Sequence, residues 1–391
     1  MKVDLSILLT FFFIVETISQ TIDVHEIHES EYIVKFKNKS SYDEAHADIM
    51  LSRTVTNLVG SLENDNIDIM KFESEDERKY WEDRPDILFV EPNYIVHVAA
   101  EETPYGIDMV QALDVDDLGF NDSDEVSDMK VCILDTGLAT HPDIPSDYVE
   151  GFSYYSAGSN DYSDGHGHGT HVAGTVAALG ENDQGVIGVL RSPNTRLIIG
   201  KVLSDSGSGT YANVIDGLTK CMERGAKVIN MSLGGGGYMQ TFQDKVNELH
   251  EAGIVIVAAA GNRGSSSRFY PASYQHIISV AAVDSNENRA SFSQFNDMVD
   301  LAAPGVSVRS TCLNDSFCSY SGTSMASPHV AGVAALVWSH FPNITNIQIT
   351  DVLEETAKDL GTVGRDDLYG HGLVQAKAAY DQLVSNSNVY T

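Results

Sequence analysis

Lys130-Val131-Cys132-Ile133-Leu134-Asp135-Thr136-Gly137 decides the fold. Residues 130–134 form a short apolar run that stops at a carboxylate and a Thr-Gly turn. Such a run, apolar on both alternating faces and too short for a helix, reads as a strand buried on both sides. Working outward, similar runs recur at 196–202, 227–231, 254–259, 277–282 and 299–301. Between and after them, helical spacing appears at 172–179, 212–224, 243–251, 325–340 and 347–358. Buried strands alternating with helices predict an α/β, three-layer fold: a central parallel sheet with helices on both faces. Ligand sites of such sheets collect where the strands end, which is where Asp135 stands. No internal repeat or low-complexity tract interrupts the pattern.

An Asp-Thr-Gly alone also serves as an ordinary turn or as an aspartic protease motif. Its meaning comes from three distant segments. His168 opens His168-Gly169-Thr170-His171-Val172-Ala173-Gly174-Thr175, whose small residues let a helix start close against the sheet. Asn262 closes Ala259-Ala260-Gly261-Asn262 after a buried strand, and Ser324 sits in Gly322-Thr323-Ser324-Met325-Ala326-Ser327-Pro328-His329 at the start of a long helix. Together they supply a nucleophile, its base, a carboxylate to orient the base, and an amide for an oxyanion. Ser324 alone would pass for a helix-capping serine. His166, His168 and His171 invite a zinc reading, but no cysteine or carboxylate stands at the usual ligand intervals.

The order Asp, His, Ser, with these flanking residues, resembles the subtilisin family, and the resemblance runs over residues 31–380. It implies a serine endopeptidase of broad specificity acting on proteins and peptides through an acyl-enzyme on Ser324. It places Gly207-Ser208-Gly209 and Ser232-Leu233-Gly234 on either side of an extended substrate, and Tyr211 and Val214 at the rim of the pocket for the fourth residue before the cut. Phe269 falls at the base of the primary pocket, where many relatives carry a small residue. A ring there favours Ala or another small to medium residue before the scissile bond, unless it points away. The resemblance also implies a structural calcium ion held by Glu101, Asp143, Asn182 and the carbonyls of Leu179, Gln184 and Val186, in a loop with one extra residue near Gly180. A weaker site would use carbonyls of Ala272, Tyr274 and Ile277. A serine esterase or amidase would need a Gly-x-Ser-x-Gly elbow, which is absent. A pseudoprotease or inhibitor would lack one of Asp135, His168, Asn262 and Ser324, and all are present.

Lys2 followed by an apolar run at 5–15 reads as a signal peptide over 1–19. Residues 20–99 carry strand and helix patterns at 31–37, 42–59, 67–72 and 87–98, a small α+β domain. It is similar to the subtilisin propeptide, ferredoxin-like in fold, an intramolecular inhibitor cut after Ala99 to leave a catalytic domain at 100–391. Later residues offer no stretch of roughly 18 apolar positions for a membrane helix. The expected protein is extracellular and monomeric. Export lets disulfides persist. Cys312 and Cys318, flanking a polar turn, are expected to pair; Cys132 and Cys221 read better as small buried hydrophobes, with a bridge left open. The net charge of −32 argues against a nucleic-acid partner and fits a self-repelling soluble surface, or a taste for cationic substrates. Glycosylation sequons stand at Asn38, Asn121, Asn314 and Asn343, and at Asn230 inside a strand, where a glycan has no room.

Overall fold

The computed structural model describes residues 27–51, 58–72, 74–94, 101–115, 129–155 and 161–387. The signal segment, the residues around Ala99 and the sequon at Asn121 lie outside them. The chain divides into two compact units, Met1–Val98 and Ala99–Thr391.

The first unit runs β1 (Ile27–Phe36), α1 (Lys39–Leu51), β2 (Leu58–Leu62), β3 (Ile67–Lys71), α2 (Glu75–Glu82) and β4 (Ile87–Tyr94). Its antiparallel sheet has the order β2-β3-β1-β4, a ferredoxin-like βαββαβ arrangement. Val34 and Phe36 of β1, Tyr42 of α1, Met70 of β3, Trp81 of α2 and Ile87 of β4 close a core of its own. Ser74 caps α2 by accepting from Glu77 N at 3.2 Å, and the acidic residues Glu75, Asp76 and Glu77 suit the positive end of that helix.

The second unit continues with α3 (Tyr105–Met109), β5 (Lys130–Asp135), β6 (Val149–Ser153), α4 (His168–Ala177), β7 (Arg196–Lys201), α5 (Tyr211–Glu223), β8 (Val228–Met231), α6 (Gln240–Glu251), β9 (Val255–Ala259), β10 (Ile277–Val283) and β11 (Leu301–Pro304). It ends with β12 (Val308–Cys312), β13 (Ser316–Tyr320), α7 (Thr323–His340), α8 (Asn346–Glu355) and α9 (Ala376–Ser387). Seven strands make one parallel sheet in the order β11-β10-β9-β8-β5-β7-β6. Alternation in β5 builds both cores. Val131 and Ile133 face α4, α7, α8 and α9, while Cys132 and Leu134 face α5 and α6. In α7 the run Ala331-Gly332-Val333-Ala334-Ala335 is wholly buried, and a Cβ on Gly332 would strike Val189 at 2.6 Å. Small residues are what let this helix lie under the sheet.

The structure differs from the expectation in several places. The helix expected at 42–59 spans Lys39–Leu51, and residues 58 and 59 belong to strand β2. The strand expected at 299–301 lies at Leu301–Pro304. The edge strand β6 went unforeseen because Glu150 and Gly151 break its apolar pattern, as did the antiparallel hairpin β12–β13. Cys132 and Cys221, read as buried thiols, are joined in a disulfide: β5 and α5 face each other with the two Cα atoms 5.9 Å apart, within bridging reach. Cys312 and Cys318 are also paired. Among the described sequons Asn38, Asn314 and Asn343 are exposed, and Asn230 is buried.

Candidate active site

Asp135 is the last residue of β5 and is buried. Its Oδ1 accepts from Thr136 N and lies 2.7 Å from His168 Nδ1, so the imidazole presents Nε2 outward. His168 opens α4, and Asp164 fixes that helix end. One Asp164 oxygen accepts from the N–H groups of His166 and Gly167, the other from Thr170 N and Thr170 Oγ1 at 3.0 and 2.7 Å. Gly169 N donates to Thr136 Oγ1 at 2.9 Å, and a Cβ at Gly169 would collide with the Gly137 carbonyl. Burial by itself pulls the His168 pKa down; the charge and hydrogen bond of Asp135, with the charge of Asp164, outweigh it, and the net shift is upward from 6.5.

Ser324 stands in the first turn of α7, where backbone N–H groups have no partner one turn back. Its hydroxyl donates to Ser232 O at 3.2 Å, and Ser232 Oγ donates to Ser324 O at 2.8 Å. The second bond exists because of Pro328. Four residues on, an N–H would normally take the Ser324 carbonyl, and proline has none. Asn230 Nδ2 donates to Ser232 Oγ and Asn230 Oδ1 accepts from Ser327 Oγ, which ties β8 to α7 beneath the nucleophile. Asn262 has its oxygen occupied by Thr323 N and Thr323 Oγ1, at 2.8 and 2.9 Å, which leaves its amide nitrogen for the cleft.

One cleft of about 750 Å³ brings together His168, Asn262 and Ser324 with both glycine-rich segments, 207–209 and 232–234, and with Tyr211, Val214 and Phe269. Tyr211 Oη donates to the carbonyls of Gly235 and Tyr270, bracing the rim, and burial raises its pKa to about 12. Phe269 does not point away. A Cβ on Gly234 would collide with its ring, and one on Gly261 would fall 2.8 Å from Cγ. The ring thus fills space between the segments that flank Asn262 and Ser324.

A model of the subtilase family matches residues 127–372. The chain is 44% identical over 295 residues to an alkaline protease of Alkalihalobacillus alcalophilus, covering 75% of this chain and 74% of that one. It is 45% identical over 285 residues to subtilisin DY of Bacillus licheniformis, covering 72% of this chain and 99% of that one.

The chain belongs to the subtilase family. This subtilase is a serine-type endopeptidase, and its substrates are proteins and peptides. Among solved structures, the psychrophilic subtilisin-like protease Apa1 of Pseudoalteromonas sp. AS-11 superposes with a TM-score of 0.66 at 26% identity, over 73% of this chain and 99% of that one.

Of the residues expected around calcium, Glu101, Asp143, Asn182 and Val186 are linked by hydrogen bonds. Asp143 is buried; Val186 N donates to its Oδ2 at 2.9 Å and Asn182 Nδ2 to its Oδ1 at 2.7 Å. Glu101 accepts from Glu181 N and Asn182 N at 3.1 and 3.2 Å. Burial raises the Asp143 pKa, the hydrogen bonds from Val186 and Asn182 oppose this, and Glu101 adds a second negative charge nearby. Among the described residues no lysine or arginine pairs with Asp143, and no three His, Cys, Asp or Glu converge on one point. Two carboxylates without a lysine or arginine partner among the described residues suit a hard cation in chemistry, although the groups that meet them here are N–H donors, so Asn182 would have to turn its oxygen, which accepts from Gln184 N, toward the ion.

Sequence reading missed Asp164, Thr323 and the framework role of Asn230. An acid four residues before His168 in Asp164-Gly165-His166-Gly167 is a helix-start signal that could have found the first. Nothing local marks Thr323 or Asn230, because their partners lie 61 and 97 residues away. No helix among the described residues is long and apolar enough to cross a membrane.

Proposed function

We propose that this subtilase is made as a secreted zymogen and cuts peptide bonds through Ser324, His168, Asp135 and Asn262. Ser324 Oγ turns from the Ser232 carbonyl to His168 Nε2, gives up its proton there and attacks the peptide carbonyl carbon. Asp135 holds the tautomer and stabilises the imidazolium. Asn262 Nδ2 and Ser324 N donate to the oxyanion as it forms. His168 hands the proton to the departing amine, and water, deprotonated by the same imidazole, releases the acyl group. The observation that carries the reading is the single cleft in which His168, Asn262 and Ser324 meet, with Asp135 bonded behind His168.

Substrate lies extended between 207–209 and 232–234, pairing through main-chain groups, which gives affinity with little demand on sequence. Specificity is broad except before the scissile bond, where Phe269 supports Ala and other small residues. Residues 20–99 act as the intramolecular inhibitor, released by a cut after Ala99; the separate core of the first unit supports that role. A structural calcium ion is held by Glu101, Asp143 and Asn182 with the carbonyls of Leu179, Gln184 and Val186. The mature enzyme works outside the cell as a monomer. N-terminal sequencing of the purified wild type and Ser324→Ala is the test: a new terminus near Ala100 appears only in the wild type. The same terminus in both would refute self-processing.

A further inference from the structure

The hairpin β12–β13 packs against the helix that His168 opens and leads directly into the segment before Ser324, and a disulfide joins its two strands. Residues Ser310 and Cys318 face each other in its register, as do Cys312 and Ser316, so the Cys312–Cys318 bridge runs diagonally on one face. The turn between them holds Asn314 and Asp315 at positive φ, 60° and 54°. From β13 the chain reaches Ser324 through only three residues, Ser321, Gly322 and Thr323.

The other contact is with α4, which His168 opens. Ser310 Oγ donates to His171 O at 2.8 Å and Thr311 Oγ1 to Thr170 O at 2.9 Å. A Cβ at Gly174 would collide with both hydroxyls, so helix and hairpin lie as close as backbone allows. His171 Nε2 lies 3.0 Å from Val308 O and 3.3 Å from Cys318 O, one carbonyl from each strand. Carbonyls only accept, so Nε2 carries the proton and Nδ1 is the buried nitrogen without a partner. Burial holds the His171 pKa down at about 4, which keeps the ring neutral and this donor in place at any higher pH. The Tyr320 ring stacks on His171 with centroids 4.5 Å apart. Leu313, at the turn, packs against Gly167 beside His168.

We propose that the Cys312–Cys318 bridge and His171 form a positioning clamp, which holds the helix bearing His168 in register with the segment leading to Ser324. The clamp acts through His168 and does not touch substrate. It rests on Ser324 and His168 being the reacting pair. The clamp is open to a thiol reagent in a way the other bridge is not, since Cys318 is half-buried whereas Cys132 and Cys221 are fully buried. A small dithiol such as dithiothreitol gives two electrons and two protons to the Cys312–Cys318 bond, forms its own cyclic disulfide and leaves two cysteine thiols.

The experiment uses the full chain, expressed and allowed to process as it will, with active enzyme counted by phosphonylation of Ser324. Brief dithiothreitol treatment is stopped when two thiols per chain titrate and peptide mass assigns them to Cys312 and Cys318. Cys312→Ser/Cys318→Ser is assayed beside it on one soluble peptide substrate. The expected result is a fall in kcat of about 3- to 10-fold with KM within twofold, and recovery of kcat when the reduced wild type is reoxidised. Unchanged kcat with two titrated thiols overturns the clamp, and so does a change in KM or thermal stability alone. Should the double variant fail to fold, reduction of the folded wild type decides. An untreated wild type without peptidase activity would refute the function proposed above, a result distinct from any change caused by reduction.

Discussion

Phe269→Gly should enlarge the primary pocket and reverse the preference for the residue before the cut. In the wild type the ring lies against Gly234 and Gly261 and lines the cleft. If Phe269 forms the base of that pocket as proposed, a phenylalanine there would have to displace its ring or stay in solvent, whereas an alanine methyl would fit above it. Fully burying a phenyl side chain is worth about 1.5–3 kcal/mol over leaving it exposed, or about 10- to 150-fold in kcat/KM. Two peptides differing only as Ala or Phe at that position, assayed with enzyme counted by Ser324 titration, isolate the pocket, since both meet the same nucleophile and base. The wild type should cleave the Ala peptide faster. In Phe269→Gly the ratio should move toward Phe by about 10- to 150-fold. Faster cleavage after Phe by the wild type, or an unmoved ratio in the variant, would refute the reasoning.

Three further outcomes follow from the site. Asn262→Ala should lower kcat by about 10²- to 10³-fold with KM little changed, a range that comes from subtilisin itself; an unaltered kcat would remove Asn262 from the oxyanion site. His168 must be neutral to accept a proton, and its pKa is raised, so kcat/KM should climb with pH through a limb above 6.5. Asp135→Asn removes the Asp135 charge, the largest raising cause, and leaves burial opposed by the Asp164 charge, which should move that limb to lower pH while kcat drops by about 10⁴, the size seen for this change in a serine protease triad; a limb that stays put would disprove the Coulombic account. If the proposed calcium ion binds, at 1,000 times its Kd it would add about 4 kcal/mol to the folded state, so chelation should lower Tm by roughly 10 °C. Asp143→Asn should abolish that response, and a Tm indifferent to chelator in the wild type would count against the ion.

The strands that carry the site were legible in the amino-acid sequence because they are buried on both faces. β5 and β9 each show an unbroken apolar run ending in a turn, and Asp135 and Asn262 follow those ends. The motif residues also announced themselves, since few uses other than catalysis explain Gly322-Thr323-Ser324 beside Pro328. What stayed hidden depends on the partner across space. Period-two alternation says that Cys132 faces inward and helical spacing says the same of Cys221, but neither says that both face the same core. Gly151 in β6 reads as a strand breaker, yet it lies flat under the Tyr162 ring and against the Ile199 carbonyl, where no side chain would fit. Phe269 could be placed at the pocket by resemblance, and only the two glycines that it touches show which way its ring lies.

Asn230-Met231-Ser232 has a consequence for making the protein. An oligosaccharide transferred to the nascent chain at Asn230 would sit where β8 must insert between β5 and β9, so each chain so decorated is lost to folding. Changing its asparagine or its serine carries a cost of its own, because these are the same groups that brace Ser324 from below. Production therefore belongs in a host without that transferase.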